Sequence, residues 1–206
     1  MNQLSGAAAA LFVLLAGTLS GCSTADANDA ADAGASSEVV TLDESADCDG
    51  RDVLIDRDGA NVVLGGRCGT VTVDANGSTV QVDQSEAVIV TGQDINVTGT
   101  ETGALTVSGR SNTTSVENVG TAEIRGNVVT MMGSRAERLN VSGSGNKIEV
   151  DDVVAVDLDG NDNHLAGRTI GVLEVTGSNN FVDWGSGAGA PKINTGADNT
   201  FTGPGA

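Results

Sequence analysis

One glycine recurs with a 17-residue period through the middle of this chain, and that period leaves few folds open. Gly92, Gly109, Gly126, Gly143, Gly160 and Gly177 keep the spacing without exception, and Gly196 follows two positions later than the period requires. Three residues after several of these glycines stands an asparagine: Asn112, Asn146, Asn163, Asn180 and Asn199, with Asn61 on the same lattice upstream. Apolar pairs keep step seven and five residues before the asparagine position, at Val71/Val73, Val88/Val90, Leu105/Val107, Leu139/Val141, Val156/Leu158 and Leu173/Val175. Val63, Val80, Val97, Ile148, Leu165, Val182 and Phe201 lie two residues after it. The unit reads apolar-x-apolar-x-Gly-x-x-Asn-x-apolar.

Apolar residues at i and i+2 put both side chains on one face of a strand. Glycine is expected to supply a positive φ at the corner. Asparagine tolerates the left-handed region and bonds nearby backbone, and stacked asparagines can form an amide ladder. The repeat is too short and too strand-rich for helical arrays. The expected fold is therefore all-β, a parallel β-helix or β-solenoid, with two short strands per coil and about nine coils between Asn61 and Asn199. Four residues after each lattice position the type alternates: Gly65, Val82, Gly99, Val116, Gly133, Val150, Gly167, Trp184, Gly203. Either a large residue covers the gap beside a neighbouring glycine, or the true unit is a 34-residue coil. The 17-residue coil is preferred because glycine and asparagine recur at that period. The register is weakest at Ile95 and Val129, and the segment ending at Pro191 reads as a loop inserted before the last unit. Trp184 is expected inward, and Met131 and Met132 inward and outward in turn.

Composition agrees with many short strands and tight turns: 29 Gly, 2 Pro, 3 Phe, 1 Trp and no Tyr. The formal charge of −18 repels nucleic acid and anionic lipid and attracts cations, and it also keeps an exposed protein soluble.

Residues 1 to 21 read as an export signal. Ala7 to Ala16 form an apolar stretch too short to span a bilayer. Leu19-Ser20-Gly21-Cys22 resembles the bacterial lipobox, which implies that Cys22 is diacylated and becomes the mature N-terminus. No Lys or Arg precedes Cys22, a departure from the usual positive start. Residues 22 to 45 read as a lipidated cysteine followed by an acidic, flexible tether, and residues 46 to 206 as the solenoid domain. Val39, Val40 and Leu42 are expected to form a short capping strand. With Cys22 consumed by lipid, Cys48 and Cys68 remain as a pair, and outside the cytoplasm a disulfide is the default reading.

The pattern V-x-V-x-G-x-x-N-x-V, after a lipobox and a cysteine pair around CDGRDVLID and GRCGTVTV, resembles an actinobacterial family of exported proteins, the domain of unknown function 3060. The similarity runs from about residue 46 to 203. It implies an envelope location and a strand-rich repeat, and brings no activity and no catalytic residues.

Candidate chemistry is sparse. Glu123, Asn140, Asp157 and Glu174 fall in one column that should point outward, and such a column is a solvated face, a sugar-binding face or a catalytic one. Asp151, Asp152, Asp157, Asp159 and Asp162 form a dense acidic group where weak Ca²⁺ binding is open. The Ca²⁺-binding β-roll repeat is absent, since Lys147 and His164 stand where it needs Asp. His164 reads as a surface residue, and two cysteines with one distant histidine make no metal site. No phosphate loop, nucleophile elbow or basic stripe is present. The expected function is a non-enzymatic envelope protein, tied to the membrane by its lipid, that binds a wall glycan or another protein. A polysaccharide-active enzyme and a cation-stabilised solenoid are the alternatives, and no cofactor is expected.

Overall fold

The computed structural model describes residues 39–41 and 44–205; the segments expected to be export signal and tether, apart from residues 39–41 and 44–45, lie outside the described residues, and so do Cys22 and Leu42. Thirteen strands and no helix occur among the described residues. Short strands open the fold: β1 (Val39–Thr41), β2 (Ala46–Asp47) and β3 (Asp52–Ile55). Seven long ones follow: β4 (Asn61–Val73), β5 (Thr79–Val90), β6 (Asn96–Val107), β7 (Thr113–Ile124), β8 (Thr130–Val141), β9 (Lys147–Leu158) and β10 (His164–Val175). The end is made by β11 (Phe181–Gly187), β12 (Ile193–Asn194) and β13 (Thr200–Thr202). All pairings are parallel and nearly all join each coil to the next, in the order β1-β3-β4 and onward to β11-β13. From β5 to β11 each partner lies one 17-residue repeat away, as in Thr79↔Asn96 and His164↔Phe181. One repeat is therefore one coil, and the fold is a β-solenoid of about nine turns.

From β5 to β10 each coil is one bent 12-residue strand and a five-residue turn, rather than two separate strands. In β5 the inward residues are Val80, Val82, Ser85, Val88 and Val90. Two consecutive outward residues, at Asp83–Gln84 and at Glu86–Ala87, break the alternation and turn the backbone without interrupting the ladder. The apolar pairs of the repeat thus face one another across a single core. Full burial of one such valine or leucine stabilises by about 1.5–3 kcal/mol, so the stack needs few aromatics.

The 34-residue alternation is a packing device. A Cβ at Gly99 would meet the Val82 carbonyl at 2.9 Å and the Val116 side chain at 3.6 Å, so the valine of the next coil lies over the space the glycine leaves. At the C-terminal end Trp184 lies across Gly203, donates from Nε1 to the Ala188 carbonyl at 2.6 Å and meets Phe201 edge-on. Met131 is inward and Met132 outward, as expected.

Two expectations fail in the first coil. It holds one extra residue, with a register shift between Leu64 and Arg67 and Gly66 at φ 69°. Asn61 therefore pairs with Thr79, lies exposed beside the turn column, and leaves Ala60 in the asparagine place. For the same reason Val63 points outward, 43% exposed, while Val62 and Leu64 fill the core. Cys48 and Cys68 form a disulfide that ties this irregular coil to the N-terminal strands. β1 caps that end by pairing with β3.

Candidate functional sites on the coil surface

The turns explain the glycine and asparagine columns, and the glycines do not act as expected. None of Gly92, Gly109, Gly126, Gly143, Gly160, Gly177 and Gly196 has a positive φ. A Cβ at any of them would overlap the carbonyl oxygen of the preceding turn, so close approach of stacked turns excludes a side chain. The positive φ sits two residues later, at Asp94, Ser111, Val128, Gly145, Asp162, Asn179 and Asp198.

Each buried asparagine reaches back one coil. Asn163 Oδ1 accepts the Asn146 backbone N–H at 2.9 Å and its Nδ2 donates to the Gly143 carbonyl at 3.0 Å. Asn112, Asn146, Asn180 and Asn199 repeat the pair of bonds. The ladder thus runs from side chain to backbone; an amide-to-amide bond along the column joins only Asn180 to Asn199, at 3.1 Å. A second column, not foreseen, runs along the outside of the turns in the opposite sense. Asn76, Asn127 and Asn161 accept the backbone N–H of Gln93, Ser144 and Ser178 in the following coil at 3.0, 2.9 and 2.8 Å. These columns are structural.

The acidic column is where the repeat placed it. Glu123, Asn140, Asp157 and Glu174 pair in register and point outward. Two members are engaged, Glu123 with Arg125 at 2.5 Å and Glu174 with Lys192 at 3.3 Å. The denser acidic group is spread around the coil. Asp151 pairs with Arg168 at 3.3 Å, Asp159 accepts from Thr176, and Asp162 occupies the turn at φ 57°. Among the described residues no three His, Cys, Asp or Glu side chains converge to hold a metal ion.

The first segment of each strand builds a different surface. Thr79, Asn96, Thr113 and Thr130 stand in one register column, and Gln81, Thr98, Ser115 and Met132 in the next outward one. All eight are exposed or half-buried, and none is charged. The face continues to an ion pair lying along β9, Lys147 to Glu149 at 2.7 Å. Lys147 donates to the Glu149 carboxylate and holds it below the usual range. It ends at His164 and Phe181, whose rings meet edge-on with centroids 5.0 Å apart. His164 is exposed, and Phe181 is 39% exposed. Phe181 escaped the sequence reading, although its place one residue after Asn180 marks it as outward.

Residues 124–171 and 141–199 match the model of a family described as Protein of unknown function (DUF3060). The match supports the resemblance drawn from the repeat and lies within the coils from Ile124 to Asn199. No curated protein and no solved structure matches the chain.

Proposed function

We propose that the chain is an exported, lipid-anchored, non-enzymatic binding protein, and that the face from Thr79 to Phe181 docks a neutral glycan of the cell envelope. The observation that carries this is an in-register run of uncharged side chains, four coils long and hydroxyl or amide at every place but Met132, on a chain with formal charge −18. An uncharged polymer avoids the repulsion that the rest of the surface imposes on anions. Rungs about 4.8 Å apart offer it repeated donors and acceptors. The Phe181–His164 pair supplies an apolar ring face at one end of the run. Export and anchoring rest on the apolar segment and on Leu19-Ser20-Gly21-Cys22. The Cys48–Cys68 disulfide is in keeping with an oxidising compartment.

The test is co-sedimentation of the full-length protein, in detergent, with insoluble envelope glycan, assaying the same tubes for released sugar. Retention without release is expected, and it should fall at least fivefold in Thr98→Glu/Thr113→Glu and in Phe181→Ala. No retention would overturn the reading. Release of sugar would favour an enzyme, and substitution of Glu123, Asp157 and Glu174 by Ala would then show whether the acidic column carries it. For the anchor, a labelled fatty acid should be incorporated and should be lost in Cys22→Ala.

A further inference from the structure

At the first bend of the strand, away from the uncharged face, the surface is notched. Gly103 and Gly120 leave a groove of about 370 Å³ with a backbone floor. Its walls carry Glu101, Asn118, Arg135 and Glu137. Glu101, Asn118 and Arg135 stand in one column through the register pairs Glu101↔Asn118 and Asn118↔Arg135. All three are exposed.

The charges in this groove are unspent. Elsewhere an acid and a base two residues apart pair directly, as Glu123 with Arg125 and Lys147 with Glu149 do. Arg135 and Glu137 flank the buried Ala136 at the same spacing but form no ion pair. Among the described residues neither Glu101, Arg135 nor Glu137 makes an ion pair or a side-chain hydrogen bond, and Asp152, in register beyond Arg135, leaves it unpaired as well. A carboxylate and a guanidinium are thus held two rungs apart, about 10 Å, with an amide side chain between them and open backbone beneath.

We infer that this groove binds a short zwitterionic peptide laid along the coil axis, its ammonium group at Glu101 and its carboxylate at Arg135. Three residues in extended form span about 10 Å, which matches the separation of the two charges. Arg135 offers the planar donor fork that a carboxylate fits. Asn118, midway, can donate to and accept from the central peptide group. The inference rests on these charges and does not depend on the glycan reading.

The probe is trialanine, compared with N-acetyl-trialanine and trialanine amide, titrated into the full-length protein in detergent and followed by NMR. Trialanine is expected to shift the amides of Gly103 and Gly120. Blocking either end should weaken binding about fivefold, the ratio set by one exposed ion pair. Glu101→Ala and Arg135→Ala should each produce the same loss, and Glu123→Gln, outside the groove, should produce none. The exchange Glu101→Arg/Arg135→Glu is the sharper test, since a peptide can reverse its direction: it should bind trialanine like the parent, while Glu101→Arg alone should not. Equal binding of the three peptides, no shift with trialanine, or failure of the exchanged variant to recover binding would each overturn the inference.

Discussion

Replacing Asn163 by Ala tests the load carried by the buried asparagine column. The side chain is 2% exposed and engages two backbone groups of the preceding turn, the Asn146 N–H at 2.9 Å and the Gly143 carbonyl at 3.0 Å. Alanine leaves both buried without partners. Each such group costs about 1–3 kcal/mol, so the loss should be about 2–5 kcal/mol, a large share of the roughly 5–15 kcal/mol that holds a domain. For a domain of this size that lowers the melting temperature by about 5–15 °C. In a repeat fold the damage concentrates at the affected interface. Urea denaturation followed by circular dichroism gives the total, and hydrogen exchange at the Asn146 amide locates it. Asn163→Asp separates the two bonds. Its carboxylate can still accept from Asn146, but the second oxygen faces the Gly143 carbonyl where a donor stood. That repulsion and the burial raise the folded-state pKa above the unfolded value of about 3.9. The folded state then holds a proton that the unfolded state has released, so stability relative to the parent falls as pH rises through the folded pKa and is regained below the unfolded one. A loss under about 0.5 kcal/mol for the alanine variant would refute the reasoning. So would unchanged exchange at Asn146, or no recovery of the aspartate variant in acid.

Three further outcomes follow from particular residues. Val128 is β-branched, 55% exposed and held at φ 58°, where its column otherwise uses Gly, Asp, Ser or Asn; Val128→Gly should raise stability by about 1–2 kcal/mol, read as a higher urea midpoint. The Thr114 hydroxyl is fully buried without a partner in a column between Val97 and Met131, so Thr114→Val should also gain about 1–2 kcal/mol, and a loss would mean the hydroxyl is bonded. Reducing the Cys48–Cys68 disulfide, which spans a separation of 20 residues, should cost about 3 kcal/mol by the chain-entropy argument and increase exchange in β2 to β4 before the later coils.

How much of this was legible follows from which residues the fold restricts to one type. The period was readable because stacked turns admit only glycine at Gly109 or Gly143 and reward asparagine at Asn146 or Asn163. The reason for the glycines was not readable, since a positive φ and a close carbonyl leave the same letter in the sequence. The strained position two residues later, where Asp94, Val128 and Gly145 alternate, has no fixed type and so no signal. The slip that expelled Asn61 and Val63 comes from one added residue near Gly66, which an even lattice cannot show because it moves every residue before it by one place. The surface was legible in a different way. Outward positions such as Thr79, Glu123 and Arg135 are free of the demands of the core, so folding does not fix their identities. The repeat told correctly that Glu123, Asp157 and Glu174 share an outward column, because the alternation within a strand fixes direction. It could not place Glu101, Arg135 and Glu137 around one groove, because that depends on how neighbouring coils stack at the bend beside Ala136, which carries no residue signature. A period locates a coil and its inner face; the chemistry of the outer face appears only when the register puts neighbouring coils side by side.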